Sequence, residues 1–243
     1  MPLAAAVGPR SIAGRLPRNR RTWTLLSLLA VLFGSVLAFA NITEDYLTKD
    51  PLVDWDVRFA SWLHAHSTEW LVTVFKVVTW AGNSAFLIVV VGALAVLFVR
   101  RGRVNDAAVL VAALGGAGVI NALLKLVFQR PRPELAYVHL ETYSFPSGHA
   151  AVATATFTTL AFVLGRRSGG RRRIAIAAAA IALIALVGFS RLYLGVHYLS
   201  DVLAGWSFGL AWASLCLIAY TLYGDRRIRL PHLNARASAR PRP

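Results

Sequence analysis

Six apolar runs, each flanked on one side by a cluster of arginines, limit what this 243-residue chain can fold into. A bilayer core takes about 20 apolar residues per helix. The runs at residues 23–40, 85–99, 107–128, 149–164, 174–189 and 202–223 approach or reach that length. With 57% hydrophobic residues overall, the expected fold class is an all-α integral membrane protein with six transmembrane helices. The first run has some features of a secretory signal, with Arg20-Arg21 before it and Ala38-Phe39-Ala40 at its end. It is longer than the roughly 7–15 apolar residues of a signal core, so a retained span is expected.

The positive charges sort by side. With the N-terminus inside, 19 of the 26 Lys and Arg fall in cytoplasmic segments, against only two acids, Asp106 and Asp225. That asymmetry is the positive-inside pattern, and it puts both termini in the cytoplasm. It also explains most of the net charge of +15 without nucleic acid, because the basic residues lie in short clusters between apolar runs. Three segments are expected: a basic cytoplasmic stretch at 1–22, a six-span domain at 23–223, and a basic, disordered cytoplasmic tail at 224–243. The bias toward Ala, Arg, Gly and Val suggests a bacterial source, and with the spans the expected location is the plasma membrane, multi-pass. The lone Cys216 sits in an apolar run and reads as a buried small hydrophobe. Gly115, Gly116 and Gly118 read as close-packing positions on the third span. Residues 41–69, with Trp55, Trp62 and Trp70, fit either a helix lying in the headgroup layer or a loop with aromatic packing. Residues 71–80 read as a short helix ending at Gly82-Asn83.

Seven cations are not explained by topology: Lys49, Arg58, Lys76, Lys125, Arg130, Arg132 and Arg191. Lys125 lies near the outer end of an apolar span, where it can either snorkel or serve a ligand. Arg132, held between Pro131 and Pro133, adds a planar fork to the point charge of Lys125, a pairing that suits a phosphate. Pro146-Ser147-Gly148-His149 marks the start of the fourth span. Ser147 is a candidate N-cap, the first amides of the helix form an anion site, and Gly148 permits close backbone approach. His197 and Asp201 are four residues apart, on one face if the sixth helix starts before His197. An aspartate bonded to one imidazole nitrogen leaves the other free to attack. Arg191 can join the phosphate clamp. Arg130 reads as an auxiliary cation. His64, His66, His139 and His232 read as loop or surface residues, and no metal site or cofactor is expected.

These residues resemble the signature of the type 2 phosphatidic acid phosphatase superfamily. Its three motifs appear in order as Lys125-x6-Arg132-Pro133, Pro146-Ser147-Gly148-His149 and Ser190-Arg191-x5-His197-x3-Asp201. The resemblance implies a lipid phosphatase with His197 as nucleophile, Asp201 orienting it, and His149 protonating the leaving alkoxide and then activating water. It also implies that Lys125, Arg132, Arg191, Ser147 and Gly148 hold the phosphoryl oxygens. The expected function is metal-independent hydrolysis of a membrane lipid phosphate or diphosphate through a phosphohistidine, at the outer face. Phosphatidate, phosphatidylglycerol phosphate and undecaprenyl diphosphate are all candidate substrates. The expected partners are that lipid and the bilayer, not nucleic acid, with the oligomeric state open. A non-enzymatic lipid-phosphate binder or transporter is the alternative. Vanadate-dependent haloperoxidase chemistry uses a related anion site but belongs to soluble relatives.

Overall fold

The computed structural model describes residues 20–48, 51–138 and 140–223, and every regular element among them is helical. In chain order these are α1 (Arg20–Thr48), α2 (Pro51–Ala65), α3 (Glu69–Val78), α4 (Ser84–Arg100), α5 (Val104–Phe128), α6 (Gly148–Gly165), α7 (Gly170–Tyr193) and α8 (Leu199–Tyr223). Helices α1, α5, α6, α7 and α8 are each long and apolar enough to cross a membrane. The second expected span takes a different form. Helix α4 has 17 residues and reaches spanning length only together with α3, from which it is bent by 46°. A single 3₁₀ turn, Thr79–Gly82, makes the break. Asn83 then starts α4, its side-chain oxygen accepting from the amides of Ala85 at 2.9 Å and Phe86 at 3.2 Å.

Helix α1 continues well past the apolar run that ends at Ala40. A hydropathy run marks the segment that tolerates lipid, whereas a helix stops only where its backbone bonding stops. Thr43 supports the extension by donating to the Phe39 carbonyl at 2.7 Å. Within residues 41–69, the end of α1 and all of α2 are helical. Asp56 and Leu63 of α2 are buried, while Trp55, Trp62 and Trp70 remain 64%, 55% and 66% exposed.

Helix α6 is the central strut, packed against α5, α7 and α8. Its residues 150–156 are all buried and are all Ala, Val or Thr, which lets neighbouring backbones approach closely. Of the three glycines on α5, only Gly116 serves packing: a Cβ there would lie 2.1 Å from the Trp212 ring, whereas Gly115 and Gly118 face open space. Cys216 is partly buried against the main apolar cluster.

The arginine-rich helix ends meet at one end of the bundle. Arg21 donates to the Leu222 carbonyl at 3.0 Å. Arg103 donates to the buried Asp106 at 2.5 Å, Arg167 lies 3.5 Å from the same carboxylate, and Tyr220 donates to it as well. The Arg166 guanidinium stacks on the Tyr220 ring at 4.9 Å. The three signature segments lie at the opposite end. The expected tail and, apart from positions 20–22, the expected basic stretch fall outside the described residues, as do Lys49, His139 and His232.

Candidate active site

The loop between α5 and α6 and the short turn between α7 and α8 build the site. Pro131 and Pro133 stiffen the chain on either side of Arg132. The turn after α7 depends on Gly195, whose φ of +66° is the left-handed region, and whose absent Cβ would sit 2.7 Å from the Leu135 carbonyl. Tyr137 donates its amide to the Leu194 carbonyl at 3.0 Å, so the two loops are bonded to each other.

His197 sits in that turn, two residues before α8 begins, so the helix-face reason for its pairing with Asp201 does not apply. The pairing forms by another route. Asp201 lies in the first turn of α8 and accepts the Tyr198 amide at 3.0 Å and His197 Nδ1 at 3.3 Å on the same oxygen, Oδ2. The carboxylate thus caps the turn that carries the histidine. With Nδ1 as donor, Nε2 is left with a lone pair, and it lies 3.3 Å from the Arg132 guanidinium. His197 is buried. Burial, followed by the charges of Arg191, Arg132 and Lys125, holds it well below the usual imidazole range, with the Ser144 carbonyl a minor opposing influence. Arg132 is fastened by donation to Thr142 O and Val196 O at 2.6 Å each and to Thr142 Oγ1 at 2.8 Å. Its own desolvation pulls its pKa down.

Lys125, in the last turn of α5, turns inward to the loop, donating to the carbonyls of Tyr143 and Ser144. Arg191, near the end of α7, donates to Thr79 Oγ1 at 2.7 Å, while its buried Nε has no partner. His149, in the first turn of α6, is within electrostatic reach of Arg191, His197, Arg132 and Lys125. The structure therefore brings all three signature segments together.

Ser147 occupies the N-cap position but makes no side-chain cap bond, and its buried Oγ is unpartnered. Its amide instead donates to the Asp201 carbonyl at 2.9 Å, tying the second segment to the third. Gly148 is dictated first by packing, since a Cβ there would lie 2.9 Å from Asn121 Oδ1. Two buried polar atoms without protein partners, Ser147 Oγ and Arg191 Nε, among three cations, form an anion-seeking site.

Arg130 is not a spare cation. It is 4% exposed and donates to Asp201 Oδ1 and Asp56 Oδ2 at 2.8 Å each, and to Ser200 Oγ at 2.6 Å. Burial opposes its charge, but Asp201 and Asp56 outweigh that and raise its pKa. Asp56, Ser200, Thr79 and Thr142 escaped the sequence reading. For Asp56 a signal existed, an acid seven residues before Leu63 and so on the buried face of α2. His66 stacks on Trp62 within its own segment at 4.7 Å, and His64 stacks on Tyr137 of the loop before α6 at 5.0 Å.

A bundle of membrane-length helices that closes over a cation cluster and a carboxylate-bound imidazole defines a membrane-embedded phosphatase. Comparison with known proteins agrees with that class. The chain belongs to the PAP2 superfamily, whose family model matches residues 106–225. It is 38% identical over 149 residues to phosphatidylglycerophosphatase B of Bacillus subtilis, covering 58% of this chain and 71% of that protein. It is 34% identical over 119 residues to lipid A 1-phosphatase of Rhizobium etli, covering 44% of this chain and 47% of that one. The crystal structure of the transmembrane PAP2-type phosphatidylglycerolphosphate phosphatase of Bacillus subtilis superposes with a TM-score of 0.66 at 28% identity, over 86% of this chain and 99% of that one. LpxE of Aquifex aeolicus gives 0.55 at 25% identity, over 67% and 94%.

Proposed function

We propose that the protein is a metal-independent lipid phosphate phosphatase of the bacterial plasma membrane, acting at the outer face through a phosphohistidine. The observation that carries this is the double engagement of His197: Nδ1 on Asp201 at 3.3 Å, Nε2 at 3.3 Å from Arg132. That arrangement fixes the tautomer and aims the free lone pair at the cation cluster. In the proposed reaction, Nε2 attacks phosphorus and the bond to the lipid oxygen breaks. His149 gives that oxygen its proton. Water then loses a proton to His149 and attacks the phosphohistidine, so that the P–N bond breaks and inorganic phosphate leaves. Lys125, Arg132 and Arg191 neutralise the phosphoryl oxygens, with Ser147 Oγ and the Gly148 amide as further donors.

The outer-face assignment is supported by charge. The site lies opposite the end where Arg21, Arg103, Arg166 and Arg167 gather, and the positive-inside rule places that end in the cytoplasm. Residues 23–223 form the phosphatase domain in this reading, between the basic segments 1–22 and 224–243. The substrate class is a phosphate or diphosphate monoester of a membrane lipid. Phosphatidylglycerol phosphate is the first choice because the phosphatidylglycerophosphatase match covers the most sequence, with phosphatidate and undecaprenyl diphosphate next.

The test is phosphate release by detergent-purified protein, in EDTA, from each of these lipids, beside His197→Ala. Release by wild type and none by the variant is expected. Turnover that survives in His197→Ala removes the proposed nucleophile, and loss in EDTA that magnesium restores removes metal independence.

A further inference from the structure

Asp201 has two carboxylate oxygens, and only one of them faces the histidine. Oδ2 takes His197 and the Tyr198 amide, while Oδ1 takes Arg130. The carboxylate is fully buried, so an Oδ1 without that partner would be left unsatisfied, and the group would turn to find another donor. Arg130 is itself held on every side. Its second nitrogen is bonded to Asp56 of α2, and Ser200 closes the ring by donating its amide to Asp56 Oδ1 at 2.9 Å and its hydroxyl to Oδ2. The guanidinium lies between the rings of Tyr198 at 4.3 Å and Tyr46 at 4.8 Å, which fix its plane. Asp56, Arg130 and Ser200 are 1%, 4% and 1% exposed, so water does not compete for these bonds.

We infer that Asp56, Arg130 and Ser200 are positioning residues, a closed ring of hydrogen bonds that holds the Asp201 carboxylate at the angle from which it orients His197. The inference rests on the phosphatase reading above. The hydrogen bonds and ion pair of Asp56 go to Arg130 and Ser200, so it acts through them. Arg130 is occupied by two carboxylates and is not available to the substrate. The ring therefore serves attack and not phosphate capture. Weakening it should lower kcat and leave KM and phosphate binding in place, the signature of an interaction that matters only in the transition state.

The experiment compares wild type, Asp56→Asn, Arg130→Lys and Ser200→Ala, all purified as the full chain in detergent. Each is tested for turnover of phosphatidylglycerol phosphate and for the rise in thermal midpoint given by inorganic phosphate. The expected result for Asp56→Asn and Arg130→Lys is a kcat loss of about 10- to 100-fold, taking as a guide the range for groups that orient a metal-bound histidine. KM should stay within about threefold, and the phosphate-induced shift should match wild type. Ser200→Ala, the mildest change, should lose less and carries the test if the charged-pair variants do not fold. Folded variants with wild-type kcat overturn the inference. So does a parallel fall in kcat, phosphate protection and thermal midpoint, which would mean a structural role alone. A wild-type protein that is protected by phosphate but turns over none of the proposed lipids would overturn the phosphatase reading itself, a separate outcome.

Discussion

At the scale of the residue, His197 shows how its surroundings set a protonation state. Burial comes first and the charges of Arg191, Arg132 and Lys125 second, and all disfavour the imidazolium. The folded protein thus keeps His197 neutral where the unfolded chain, with an ordinary value of about 6.5, takes up a proton. Stability from this group is complete above about pH 6.5 and is lost as pH falls below it, since the unfolded state then binds the extra proton. The thermal midpoint of phosphate-free protein should therefore drop between pH 7.5 and 5, with a shallower drop in His197→Asn. Equal slopes for the two proteins would contradict this. Gly195 gives a second expectation. Gly195→Ala puts a Cβ against the Leu135 carbonyl in a left-handed turn, so a loss of about 1–3 kcal/mol is expected by thermal or denaturant unfolding. Much of the site could be read from sequence at this scale because its residues fall in three short, ordered segments. The pairing of Asp56 with Arg130 could not, because the bond between them spans 74 positions and no spacing rule reaches that far.

At the scale of the element, apolar length located the five helices long enough to cross a membrane and one half of the bent α3–α4 pair, but misplaced several ends. Helix α1 runs on to Thr48 because polar residues such as Asn41 and Thr43 still form helix, although they no longer suit lipid. The bend between α3 and α4 was half visible. Gly82-Asn83 signalled a stop, but not that the two helices would count as one broken span. The break has a use, since Thr79 in the 3₁₀ turn is where Arg191 is anchored. Gly116 and Gly115 provide a paired test of helix packing. Gly116→Leu must displace Trp212 and should cost about 1–3 kcal/mol. Gly115→Leu points into open space and should stay within about 0.5 kcal/mol. Thermal midpoints in the same detergent would decide, and equal losses would show that the α5–α8 contact is looser than described.

At the scale of the whole molecule, charge separates the two ends of the bundle. One end concentrates arginines around Asp106 and Tyr220, and the other holds the cluster of Lys125, Arg132 and Arg191. In a Cys216→Ser background, a membrane-impermeant thiol reagent added to intact cells should label Ala65→Cys, at the end of α2, and not Gly169→Cys, between α6 and α7. The reverse pattern would invert the proposed orientation. The buried ring around Arg130 has a further consequence, for discrimination. Arg130 and its two carboxylates together carry one negative charge, and Lys125, Arg132 and Arg191 carry three positive ones, leaving an excess of two before His149 takes up the proton that it later donates. A phosphate monoester is close to a dianion at neutral pH, its second ionisation lying near pH 6. Ordinary phospholipid headgroups are diesters, with a single negative charge and both bridging oxygens capped. The vast background of bulk bilayer phosphate thus leaves the cluster half neutralised and competes poorly. A scarce terminal phosphate balances it in full.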